Sequence, residues 1–166
     1  MILDEVIEEL QSLAPETITH FHRLIGSFQN IIILGNGGSN AIASHISQDY
    51  TKKLGKKSFC FSDPARLTCY INDYGMENAY VQFLKEFVTS DSLVILVSSS
   101  GESKNIIKCA QFCQHNNIGY VILTGFNQFN TLRTTFKENS QLDIWVDSED
   151  YGVVECVHQI FLHLPC

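Results

Sequence analysis

The sequence predicts an α/β protein built on a five-stranded parallel sheet. Three observations carry this. Five short apolar runs recur along the chain, and segments with helical spacing lie between them. Two of the runs open directly into a glycine- or serine-rich turn followed by a helix. The whole is 166 residues, the size of one domain with a real core. Strands that alternate with helices pair in parallel through right-handed crossovers. Residues 1–166 therefore read as a single domain, with a helical segment over 1–27 and the sheet with its flanking helices over 30–166.

Ile2, Leu3, Val6, Ile7, Leu10 and Leu13 have helical spacing, with an acidic opposite face. Pro15 then starts a second helix, to about Gly26, whose apolar set is Ile18, Phe21, Leu24 and Ile25. These two helices cover the sheet or pack on another subunit. His20 and His22 fall here without matching ligand spacing and read as surface or structural residues. Ile31–Leu34 is a buried strand, three of its four residues being β-branched. After Gly35-Asn36-Gly37-Gly38, Ser39 is the expected N-cap of a helix from Asn40 to Lys53, with Ile42, Ile46 and Tyr50 on one face.

Ser58–Phe61 is the second strand, broken by Ser62-Asp63-Pro64. Residues 65–74 read as a loop or short helix containing Asn72-Asp73-Tyr74-Gly75. A helix over 76–88 carries Tyr80, Phe83, Leu84 and Phe87 as its stripe. Leu93–Val97 is the third strand and runs into Ser98-Ser99-Ser100-Gly101-Glu102-Ser103, then a helix over 104–116. Tyr120–Leu123 is the fourth strand. Residues 127–139 read as a loop with about one helical turn, Asp143–Val146 as the fifth strand, and Val153–Leu164 as the last helix.

Two of these junctions suggest chemistry. A strand, a glycine turn and a helix N-terminus aim free N–H groups and the positive end of the helix dipole at one spot, which is an anion site. The same turn also serves as an ordinary strand-to-helix junction. Neither GxGxxG nor GxxxxGK[ST] is present, so neither a dinucleotide nor a P-loop nucleotide is indicated. The serine turn supplies hydroxyls and caps where the first has glycines, a composition suited to a phosphate monoester. Both turns fall at the carboxyl ends of strands, where open parallel sheets bind ligands.

His45 and Asp49 are four apart and share a helix face, which on spacing alone is a solvated pair. On the last helix Glu155, Gln159 and His163 share a face. Glu155 and His163 are eight residues apart, about 12 Å along the axis. One metal takes both only if the side chains reach toward each other, or if ligands come from two chains.

The composition narrows the function classes. A net charge of −7 and the lack of a Lys/Arg run argue against a nucleic-acid face. No basic and apolar leader opens the chain, and no apolar run approaches the length of a membrane span. The six cysteines form no CxxC pair and read as reduced thiols of a cytoplasmic protein.

Taken in order, these pieces resemble the sugar isomerase (SIS) domain, and within it the phosphoheptose isomerases. The matching residues are Gly35-Asn36-Gly37-Gly38-Ser39, His45 with an acid four later, and Asn72-Asp73-Tyr74-Gly75. They continue with Ser98 to Ser103, Leu123-Thr124-Gly125, and the closing helix with His158 and His163. The resemblance spans roughly residues 31–163. It implies a three-layer, doubly wound, flavodoxin-like sheet and an aldose–ketose isomerase acting on a phosphorylated seven-carbon sugar. It implies that Asn36, Gly37, Gly38, Ser39, Asn72, Asp73, Ser98, Ser99, Ser100, Ser103 and Glu155 hold the substrate. Asp49 and His163 fall on catalytic positions, and His45, Asp49, Glu155 and His163 on metal positions. One zinc ion per subunit and a cytoplasmic homotetramer are implied as well. The chain departs from the pattern where Asp49 replaces the usual Glu, Glu155 the usual Gln, Ser99 a Thr and Glu102 an Asn. A non-catalytic sugar-phosphate-binding or replication-initiation adaptor module on the same fold is the rival expectation.

Overall fold

A computed structural model describes residues 1–166. The elements follow in the order α1 (Ile2–Ser12), α2 (Pro15–Ser27), β1 (Asn30–Leu34), α3 (Gly37–Leu54), β2 (Lys57–Cys60), α4 (Pro64–Tyr74) and α5 (Met76–Phe87). Then come β3 (Ser92–Ser98), α6 (Lys104–His115), β4 (Gly119–Thr124), α7 (Thr131–Phe136), a 3₁₀ turn, β5 (Leu142–Trp145) and α8 (Tyr151–His163). All five strands are parallel, in the order β2-β1-β3-β4-β5. This is the doubly wound arrangement, whose switch point lies between β1 and β3.

Residue alternation along the strands divides the core into two layers. Ile31 and Ile33, Leu93, Ile95 and Val97 pack toward α2, α3 and α8. Ile32 and Leu34, Val94 and Leu96 pack toward α5, α6 and α7. β3 is buried along its whole length, as a central strand covered on both faces must be.

The start of α3 differs from the sequence expectation, and two segments with an open reading resolve as helices. α3 opens at Gly37, so Asn36 holds the N-cap position and Ser39 is buried inside the first turn. Residues 64–74 are a full eleven-residue helix. Asp63 and Pro64, read above as a strand breaker, are its start signals: Asp63 accepts from Arg66 N–H, and Pro64 sits where its missing N–H is harmless. Residues 131–136 are likewise a helix, capped by Asn130, whose side chain accepts from Arg133 N–H. No helix is long and apolar enough to cross a membrane.

Candidate functional site

α3 leaves β1 through Gly37, which has a φ of +54° that a side chain would strain. A Cβ at Gly38 would meet the carboxylate end of Glu155, which would have to swing aside. Asn36 is clamped by a reciprocal amide pair with buried Asn105 on α6, at 2.9 and 2.8 Å. Tyr80 Oη donates to the carbonyl of Gly35 at 3.1 Å. The glycine turn is thus tied to the far layer before any ligand arrives.

The serine turn is built with similar economy. Gly101 N–H donates to Ser98 O, and Ser98 Oγ bonds Ser103 Oγ at 3.3 Å. Glu102 turns away and caps α7, accepting from Thr131 N–H at 2.8 Å and from its hydroxyl at 2.7 Å. Gly125 N–H, just past β4, holds the carbonyl of Ser99 at 2.8 Å.

Between these turns lies a cavity of about 230 Å³. Asn36, Gly37, Gly38, Ser39, Ser98, Ser99, Ser100, Ser103 and Glu155 all line it, together with Val97 and Tyr151. The N-termini of α3 and α6 both open on it, so their unpaired N–H groups and dipoles favour an anion there. Larger hollows elsewhere lack this convergence. Two expected substrate residues are not brought in. Asn72 and Asp73 sit exposed in the last turn of α4, where Asn72 Nδ2 donates to Asp73 Oδ1, and neither lines the cavity.

Further along α3 and α8 a second cluster forms. His45 Nε2 and His163 Nε2 are 3.1 Å apart. Asp49 Oδ2 lies 3.9 Å from the first and 3.5 Å from the second. Tyr50, next to Asp49, donates its buried hydroxyl to the carbonyl of Leu162, next to His163, at 2.7 Å. That bond fixes the two helices at the level of the cluster. His163 Nδ1 donates to Gln159 O at 2.8 Å, which leaves Nε2 as the lone-pair nitrogen.

These three atoms suit a metal ion. Ligands bonded at about 2.0–2.1 Å in a tetrahedron stand roughly 3.3 Å from one another, close to the separations here. Two imidazoles and one carboxylate leave a fourth position open, as in catalytic zinc sites. Glu155 does not join them; it lies two turns away in the cavity, as the eight-residue spacing on α8 requires.

Lys53 was not singled out in the sequence, although its position four residues after Asp49 was the available signal. Its ammonium bonds Asp49 Oδ2 at 2.8 Å. That hydrogen bond holds the Asp49 carboxyl below its ordinary value. The ion-paired carboxylate is correspondingly a weaker base than a free one.

No family model matches the chain. A protein from Helicobacter pylori strain P12 named phosphoheptose isomerase is 27% identical over 173 aligned positions, covering 99% of this chain and 86% of that protein. A protein of the same name from Aneurinibacillus thermoaerophilus is 33% identical over 124 positions, covering 71% of this chain and 63% of that one. Among solved structures, a phosphoheptose isomerase from Neisseria gonorrhoeae superposes with a TM-score of 0.86 at 21% identity, over 97% of this chain and 89% of that one. One from Francisella tularensis gives 0.81 at 19% identity, over 97% and 88%. The structural likenesses establish the fold, and the two sequence relatives carry the same name, one along nearly the whole chain and the other along 71% of it. The chain is therefore similar over nearly its whole length to a protein named phosphoheptose isomerase, and it has the fold of solved phosphoheptose isomerases.

Proposed function

We propose that this chain is an aldose–ketose isomerase that interconverts sedoheptulose 7-phosphate and D-glycero-D-manno-heptose 7-phosphate, a step toward heptose-containing surface glycans. The observation that carries the reading is the placement of two sites along one pair of helices. The anion cavity lies at the N-termini of α3 and α8, and the His45–Asp49–His163 cluster lies further along the same two helices. From Gly38 to His45 is seven residues of helix, about 10.5 Å, and from Glu155 to His163 eight, about 12 Å. An extended seven-carbon phosphate, with C–C bonds of about 1.5 Å, spans roughly 10 Å from phosphorus to C1. Side chains lean toward the N-terminus of their helix, which shortens the gap.

In this reading the cavity's N–H groups and serine hydroxyls clamp the phosphate, and the far end of the sugar is held at the cluster. Asp49 takes the proton from C1 of the ketose and returns it to C2 through the enediol. His163 takes the proton of O1 on its Nε2 lone pair and delivers it to O2, an imidazole being able both to accept and to give a proton. Zinc held by His45, Asp49 and His163 would instead supply carbonyl polarisation. These two uses of His163 exclude each other, because one lone pair cannot bind a cation and take a proton.

An NMR assay of sedoheptulose 7-phosphate with the protein, once with added Zn²⁺ and once with chelator, tests both points. Appearance of the aldoheptose 7-phosphate supports the isomerase. Turnover that needs zinc assigns His163 to the metal, and turnover in chelator assigns it to proton transfer. Line broadening without conversion marks a sugar-phosphate-binding module instead.

We also propose a cytoplasmic homo-oligomer, a tetramer. The support is that Ile2, Leu3 and Ile7 of α1 remain exposed, as do Tyr151 and Ile160 of α8, the helix on which α1 packs. The mass in solution tests it.

A further inference from the structure

Asp49 offers its Oδ2 to two imidazoles and to an ammonium at once. His45, Asp49 and Lys53 recur every four residues on α3, so they stand in a row on one face. Lys53 Nζ, at 2.8 Å, is the nearest cation to that oxygen. The Asp49 side chain is 9% exposed, whereas that of Lys53 is 48% exposed and free to swing into water.

We propose that Lys53 is a positioning residue for the metal site. Without metal, its ammonium holds the Asp49 carboxylate facing the imidazoles. A metal entering the cluster takes Oδ2 and displaces the ammonium to solvent, so Lys53 sets metal affinity by competing for the same oxygen. This rests on the reading of the cluster as a metal site.

The competition follows from charge. A monovalent and a divalent cation cannot share one carboxylate oxygen without strong repulsion. A lysine suits a temporary occupant, being a point charge on a flexible stem. An arginine would hold the carboxylate with a planar fork and give it up less readily. Because Lys53 is half exposed, its pairing with Asp49 is weak, and the competition should be modest. Removing it should tighten metal binding about three- to tenfold, the upper figure corresponding to about 1.4 kcal/mol.

The test uses the full chain stripped with chelator and titrated with zinc against a chromophoric competitor. Wild type, Lys53→Gln, Lys53→Arg and His45→Ala are compared. Lys53→Gln should bind zinc three- to tenfold tighter than wild type, and its melting temperature should rise more on adding one equivalent. Lys53→Arg should bind no tighter than wild type. Equal or weaker zinc affinity in Lys53→Gln, with His45→Ala impaired, overturns the role given to Lys53 and leaves the metal site standing. Zinc binding that His45→Ala does not weaken, or no binding in any variant, overturns the metal reading itself. Lys53→Met, which keeps the stem without the charge, must behave as Lys53→Gln does; if it instead binds zinc like wild type, charge competition is refuted.

Discussion

Glu155 puts a carboxylate on the wall of an anion cavity, and replacing it with glutamine isolates what that charge does. No cation pairs with Glu155, so its charge acts on whatever enters. A sphere of the cavity's 230 Å³ has a radius of about 4 Å, so a phosphate at its centre lies roughly 6 Å from the carboxylate. At that separation, with an effective dielectric of about 40–80, each pair of unit charges repels by about 0.7–1.4 kcal/mol. A phosphate monoester carries about −1.5 to −2 at neutral pH, and salt screens part of the effect. Glu155→Gln should therefore tighten phosphate binding by about 1–2 kcal/mol, or about five- to thirtyfold. Gln has the same shape, so the packing against Gly38 persists. Calorimetric titration of sedoheptulose 7-phosphate and of inorganic phosphate into chelator-treated protein at low salt measures this. The gain should shrink as salt rises. An unchanged or weaker affinity in the variant refutes the reasoning: Glu155 would then be bonding the sugar rather than repelling the phosphate.

Other outcomes follow from single contacts. Asp49→Asn should abolish turnover in the NMR assay while calorimetry still detects sugar-phosphate binding; retained turnover removes Asp49 from proton transfer. His158 is fully buried on α8 and donates to the carbonyl of Thr124 at 3.1 Å, and burial pushes its pKa down to about 4. A folded value below the ordinary 6.5 means that its stability contribution is complete above pH 6.5 and drains as pH falls toward 4, by up to about 3 kcal/mol. Chemical denaturation across that window should show a smaller decline for His158→Gln than for wild type. Gly101 has a φ of +66°, and a Cβ there would strike the side chain of Asn130. Gly101→Ala should lower stability in urea melts by about 2–4 kcal/mol and loosen phosphate binding with it.

How legible each part was in the sequence depended on the signal's range. The strands were readable because a sheet covered on both faces demands continuous apolar runs, as Ile31–Leu34 and Leu93–Val97 show. Helix α4 stayed open between loop and helix because Asp63-Pro64 ends a strand and starts a helix with the same two residues. The cavity was readable from its two turns, since a turn and the helix after it form one local unit. Asn72 and Asp73 had no such local tie, and nothing in their spacing relates the end of α4 to the cavity. Lys53 was passed over because a helix face of Lys and Asp looks like ordinary solvated surface until both imidazoles are seen beside it.

Glu155 is the residue at which the resemblance and the helix geometry pull apart. The resemblance grouped it with His45, Asp49 and His163, whereas the rise of a helix put eight residues between it and His163. In the structure Glu155 lines the cavity and stands apart from the three clustered residues. The departures from the family pattern then act at separate places. At the cavity, Glu155 adds a negative charge where a phosphate is to be held. At the cluster, Asp49 is one methylene shorter than Glu, yet its Oδ2 still reaches both imidazoles because Tyr50, bonded to Leu162, locks α3 against α8 at that level. Glu102, a third departure, is spent on capping α7 and faces neither site. Of the four substitutions, Ser99 keeps a hydroxyl on the cavity wall, only Glu155 changes the charge that meets the phosphate, and only Asp49 changes the reach of a reacting group. Binding measurements on the first and turnover measurements on the second separate the two effects without a common variable.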